Sequence, residues 1–240
     1  LYRKFKKELF FVIIIQFDGS IVKLKFKNSK MKKTFLLMMA SAVILASCGS
    51  NAVEATEAKK EAEATEKSVE YVVDAKSSEV QWHGKKLAYG HTGLIDIKSG
   101  SLAAENEKIT AGKFEIDMNT IRETGDVDPE DAIKLAGHLM DVDFFDAASF
   151  PLSTFEITGV KGEKGNYEIS GNLIIKGVSK NITFPAEVKL EGDQLTANAE
   201  VIINRTDWGV VYGSGVTGAV ADKAISDDID FKIKLVANKK

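Results

Sequence analysis

A single cysteine, Cys48, serves the whole chain of 240 residues, so no disulfide can staple it internally. No Gly-x-Ser-x-Gly stands in the sequence and no Gly-rich phosphate cradle follows a strand-like run. A hydrolase elbow and a nucleotide loop are thereby excluded. The three histidines, His83, His91 and His138, share no close ligand spacing, so no metal site is predicted. Asp126-Val127-Asp128-Pro129-Glu130-Asp131 looks like half a calcium loop. It lacks the glycine of the sharp turn and the distal glutamate, and reads as an exposed acidic loop. Apolar runs stop short of the ~20 residues that a spanning helix needs. Proline is scarce, with three residues, while glycine (19) and phenylalanine (13) are plentiful, a balance that favours sheet over helix.

The net charge of -3 hides two regimes. Residues 1–33 carry ten Lys or Arg against two Asp or Glu; the rest of the chain is acidic. An acidic domain lacks the basic face that a nucleic-acid backbone requires, so no nucleic-acid partner is expected.

Met31-Lys32-Lys33 and the apolar Thr34–Ala46 stretch end in Leu45-Ala46-Ser47-Cys48. A short basic start, an apolar run and small residues before a cut are the layout of a secretory signal. The last four residues resemble the lipobox of bacterial lipoproteins. That resemblance implies cleavage before Cys48 and acylation of its thiol and new amine, with several chains making a stable membrane anchor. Residues 31–47 are therefore expected to be a signal peptide, and 1–30 an upstream extension from a mis-assigned start. Localisation is expected at the cell envelope, on the periplasmic side or the outer surface. Residues 48–68, rich in Ala, Glu and Lys, show no apolar face and read as a lipidated flexible tether.

From Val69 to Lys240 the period changes to two. Phe114, Ile116 and Met118 alternate with polar residues, as do Phe155 and Ile157. Tyr167, Ile169, Leu173 and Ile175 follow the same rule, then Leu195 to Ile203, then Ile229 to Leu235. Such alternation marks antiparallel strands with one apolar and one wet face. Gly-rich turns between the runs read as hairpins. Asp131–Met140 is the one stretch with short-helix character. An apolar face without a long helix to cover it must be buried in another way. Closure into a barrel of ~8 strands does so and removes the edges; a β-sandwich is the alternative. Whether a barrel would be hollow or filled is not decided by pattern.

Several segments, in order, resemble the YceI-like lipid/polyisoprenoid-binding family. The most specific is His138-Leu139-Met140-Asp141-Val142-Asp143-Phe144-Phe145-Asp146 with Phe150-Pro151. Tyr71–Asp74, Ile116–Ile121, Gly171–Val178 and Arg205-Thr206-Asp207-Trp208-Gly209 add to it. His91 with Gly93 departs from the family's spacing, and Thr124–Glu130 is a longer insert. The resemblance implies an all-β fold: an extended antiparallel lipocalin-like β-barrel with a short helical loop insertion. It also implies a bound isoprenoid lipid or quinone inside, and no catalytic activity.

The candidate interior ligand-binding residues are Phe114, Ile116, Met118, Phe155, Ile157, Tyr167, Ile169, Leu173, Ile175 and Leu195. Candidates for a polar mouth are His91, His138, Arg205, Asp207 and Trp208. Against a ligand role, Arg205 and Asp207 also fit a local ion pair or turn, and Trp208 a core plug. The expected partners are the lipid and, through acylated Cys48, a membrane; the sequence leaves the oligomeric state open, a dimer included. The competing expectation is an envelope stress or interaction protein with a filled barrel that binds a partner protein.

Overall fold

The computed structural model describes residues 11–17, 20–26, 51–86, 89–106, 108–219 and 224–240. They belong to two units that divide between Gly49 and Ser50. In the first, β1 (Phe11–Phe17) and β2 (Ser20–Phe26) form an antiparallel hairpin. The signal-peptide segment 31–47 and Cys48 lie outside the described residues. In the second unit β3 is the short strand Thr56–Glu57. The wall strands are β4 (Val69–Val73), β5 (Glu79–Lys86), β6 (Gly90–Glu105) and β7 (Lys108–Glu123). After helix α1 (Pro129–Met140) come β8 (Leu152–Glu163), β9 (Asn166–Ile175), β10 (Val178–Glu191), β11 (Gln194–Asn204) and β12 (Ile225–Lys239).

The wall closes on itself. Each strand from β6 to β12 pairs antiparallel with the next, and β5 bridges β12 back to β6. β4 and β5 share one place in the wall: β4 lies opposite Ser101–Ala104 and β5 opposite Gly90–Ile95. The result is the eight-stranded antiparallel barrel, with one short helix, that the alternation called for; the sandwich alternative falls away. Residues such as Ile97, Ile157, Ile169, Ile182 and Ile203 turn inward and are buried.

One end, here the hairpin end, carries the tight turns at 163–166 and 191–194 and the meeting ends of β6 and β7. The other, the helical end, carries α1 and the loops after β5, β9 and β11. Asp128 caps α1 by accepting from Glu130 N–H at 2.8 Å, with Pro129 in the first turn. The acidic run 126–131 therefore works as a helix start. Gly213-Ser214-Gly215, glycine-rich as it is, forms an ordered turn. Ser214 is fully buried and caps Val216 N–H at 3.1 Å.

The expected flexible tether is the main correction. Its described part, residues 51–68, runs along the outside of the barrel as a strap. The wall has two incomplete seams. β10 pairs β11 only over Ala186–Glu191, and β7 pairs β8 only over Lys113–Asp117. Beyond those registers the strands part and expose backbone groups that need partners. The strap supplies them. Val53 N–H donates to Ile202 O at 2.8 Å, and β3 pairs with Lys180 and Asn181, filling the first seam. Ala62 N–H donates to Ile157 O at 2.8 Å in the second. Asn172, outward on β9, accepts from Lys59 N–H at 3.0 Å and donates to Lys59 O at 2.7 Å. Asn181 donates to Asn172 Oδ1 at 3.0 Å and to Thr158 Oγ1 at 2.9 Å.

Candidate functional site

The inward alternates do not fill the barrel. They line a cavity of about 560 Å³, within the size range of small-molecule sites. Of the ten predicted interior residues, Phe114, Ile116, Met118, Phe155, Ile157, Ile169, Leu173 and Ile175 line it. Tyr167 and Leu195 are buried toward the hairpin end but do not line it; they belong to the packed wall.

Space is made locally. An aromatic row crosses the wall, Phe114 to Phe155 at 6.4 Å and Phe155 to Phe184 at 5.5 Å between ring centroids. The Phe155 ring lies over Gly171, where a Cβ would stand 2.2 Å from Phe155 Cζ. Glycine there lets the ring lie against the wall instead of across the lumen. Ala197 and Ala199 of the neighbouring β11 also line the cavity, and their small side chains take up little of it.

The helical end is capped by residues that no strand pattern signals. Leu135, His138 and Leu139 of α1 and Phe144 and Phe145 of the following loop reach the cavity. Phe144 stacks edge-on to Phe145 at 5.2 Å and to His138 at 5.8 Å. His138 meets Tyr212 of the β11–β12 loop at 4.7 Å. Tyr212 was missed in the sequence, because it sits in a glycine-rich loop with no period. The apolar and aromatic cluster inside an acidic loop at 139–146 was the available signal for the cap.

Most of the polar lining residues collect at this same end: Lys85, Lys86, His91, His138, Ser153, Arg205, Tyr212 and Ser226, with Asn198 of β11 standing apart from them. His91 Nδ1 lies 3.2 Å from Glu123 Oε2, misaligned for a hydrogen bond. Glu123, whose side chain is sealed from solvent, accepts instead from Thr92 N–H at 3.2 Å and Gly125 N–H at 2.9 Å.

Arg205 is held by its own chain. Its guanidinium donates to Val210 O at 2.7 Å, Ser226 O at 3.0 Å and Ile225 O at 3.3 Å. It pairs with Asp227 at 3.4 Å and lies 5.3 Å from the Phe144 ring centre. Burial lowers its pKa and Asp227 partly offsets this. It clamps the two ends of the β11–β12 loop. Asp207 is exposed and is not its partner, because the single turn of 3-10 helix at Arg205–Trp208 points the two side chains apart. Trp208 is 1% exposed, donates to Leu173 O at 2.9 Å, and plugs the wall outside the cavity. Of the five predicted mouth residues the structure thus brings His91, His138 and Arg205 to the cavity and leaves Asp207 and Trp208 away from it. Among the described residues no group of three or more metal-ligating side chains gathers.

A closed antiparallel barrel with an apolar lumen and most of its polar lining gathered at one end defines a lipocalin-like barrel with room for a ligand. Residues 71–237 match the family described as YceI-like domain, and the chain belongs to that family. It is 29% identical over 168 residues to a UPF0312 protein of Pseudomonas putida (strain W619), covering 65% of this chain and 84% of that one. It is 30% identical over 127 residues to Protein YceI of Salmonella newport (strain SL254), covering 52% and 64%. Among solved structures, BcnA of Burkholderia cenocepacia superposes with a TM-score of 0.56 at 23% identity, covering 68% of this chain and 98% of that one. That likeness is one of fold.

Proposed function

We propose that this barrel holds the hydrocarbon chain of an isoprenoid lipid, such as a quinone or polyprenyl tail, without turning it over. It would serve as a carrier, store or sequestering site at the cell envelope, anchored through acylated Cys48. The observation that carries the reading is the cavity of about 560 Å³ lined along its length by apolar side chains. Each methylene that moves from water into such a lumen contributes about 0.8 kcal/mol, so a long tail is held without polar help. A branched chain suits a lumen lined both by large rings, Phe114 and Phe155, and by small residues, Ala197 and Ala199. The head group then meets His91, His138, Tyr212 and Lys86 at the helical end. Arg205 is mostly held out of that contact, since three of its five donors go to backbone carbonyls and a fourth to Asp227.

The test is organic extraction of the purified protein followed by mass spectrometry, together with uptake of a prenyl-tailed quinone from detergent micelles. A co-purified prenyl lipid near one per chain, or saturable uptake, is expected. Protein that yields no long-chain lipid and takes up none overturns the reading and favours a role for the outer face.

A further inference from the structure

The large apolar side chains that the protein leaves exposed are not scattered. Tyr89, Ile133, Val142, Val178, Tyr212 and Val216 are 36–74% exposed and come from four separate segments. All of them stand at the helical end. Among the described residues Val69 and Val72 are the large exposed apolar side chains that lie elsewhere, on the wall strand β4. Neighbouring segments at the helical end are tied to one another. Lys176 Nζ donates to Val142 O at 3.1 Å, and His138 packs on Tyr212. Ile225 pairs with Lys86 and donates to Gly213 O at 2.8 Å. They form one rim. A rim of exposed apolar groups on an otherwise polar surface marks a contact with something apolar. Tyrosines at such a rim suit a bilayer interface, where ring and hydroxyl meet different media.

Two further observations select a membrane as the occupant. The cavity reaches the surface here, since Lys85, Lys86 and Tyr212 are both exposed and part of its lining. The strap also starts here. Val53 is bonded to Ile202, two residues before the end of β11, and the strap then leads away toward the hairpin end, where Ser68 meets Thr110 at 2.9 Å. Cys48 precedes Val53 by five residues, a reach of at most about 18 Å. An acyl anchor on Cys48 would therefore be leashed to this rim, and the barrel could stand off from the bilayer by no more than that reach.

We propose that the helical end rests on a phospholipid bilayer through this rim, so that the cavity opens onto the membrane and a lipid tail passes between them without crossing water. The proposal rests on the anchored, lipid-holding reading above. Charge at this end is mixed, with Asp128 and Asp131 beside Lys134. Contact is therefore apolar, and neither salt nor anionic lipid strengthens it.

The test uses the Ser50–Lys240 unit, which contains the strap and every barrel strand but no acyl site. Its flotation with phosphatidylcholine vesicles is measured beside Ile133→Asp/Val216→Asp and Val72→Asp, with folding checked by circular dichroism. The unaltered unit and the Val72→Asp control should float alike, independently of salt. The double variant should partition about tenfold less or weaker still. No flotation, or equal flotation of the double variant, overturns the proposal. So does a dimer, seen by sedimentation, that the double variant dissociates while flotation stays absent. Quinone uptake from detergent micelles runs in parallel and separates the two readings. Uptake without flotation overturns docking alone; flotation without uptake supports docking and overturns the lipid-holding role.

Discussion

The strap and strand β9 lie side by side on the same wall and are held by opposite means. β9 turns Ile169, Leu173 and Ile175 into the lumen. Its place is fixed by apolar burial and a full ladder to β8 and β10. The strap buries only the small Val53, Ala55 and Ala62 partially. Its place is fixed by backbone hydrogen bonds into two unfinished seams and by two asparagines. Burial of apolar side chains leaves a period in the sequence; backbone bonding leaves none.

The largest effect should come from breaking the wall. Leu195 is 1% exposed and lies outside the lumen. Leu195→Ala should cost about 2–5 kcal/mol of global stability, read as a lowered denaturation midpoint with the slope unchanged. Lipid uptake by the folded fraction should persist. Loss of uptake at full stability would place Leu195 in the site after all.

Next comes the joint between the two regions. Asn172→Ala removes both bonds to Lys59 and leaves Asn181 without one partner. A cost of about 2–3 kcal/mol is expected, concentrated in the strap. Hydrogen exchange should show lost protection at Lys59 and Ala62 while β9 and β10 keep theirs. Uniform loss along the barrel would mean that the strap is an integral part of the wall rather than a separable seal.

Filling the lumen tests function against stability. Ala199→Phe places a ring in the cavity from a residue that lines it. Stability should change by less than about 1.5 kcal/mol, because there is room to occupy. Quinone uptake should fall at least about tenfold. Unchanged uptake would put the ligand elsewhere.

The wall was legible in the sequence for the reason just given: Phe114, Ile116 and Met118 had to share a face. The YceI-like segments around His138 also pointed to the loop that caps the lumen. The strap was not legible, because a seam between β10 and β11 exists only once the barrel has closed. Asn172 falls on the wet face of the period and Asn181 in a turn-like stretch, yet the strap covers both and leaves them 5% and 1% exposed. Arg205 carried the right signal and the wrong partner. Asp207 is its neighbour in sequence, but Asp227, brought in by β12, is its neighbour in space. Tyr212 gained its place on His138 only through the loop that Arg205 clamps.

The smallest expected effect concerns the strap's response to pH. The exposed Glu61 carboxyl is hydrogen-bonded to Glu156, and that bond, then the repulsion between the two charges, raises the pKa of Glu61. Lys113, which pairs with Glu156, offsets part of the shift. A carboxyl whose pKa is raised by folding stabilises in its protonated form. Its contribution is fully present below the unfolded value of about 4.3 and is lost as pH rises through the folded value. Strap protection at Ala62, measured relative to β9, should therefore loosen slightly as pH rises from about 4 to 7. Glu61→Gln keeps the hydrogen bond and removes the titration, so the same ratio should become flat. A ratio that still falls in Glu61→Gln would assign the pH response to other groups. The strap would then be held by Asn172 and the backbone alone.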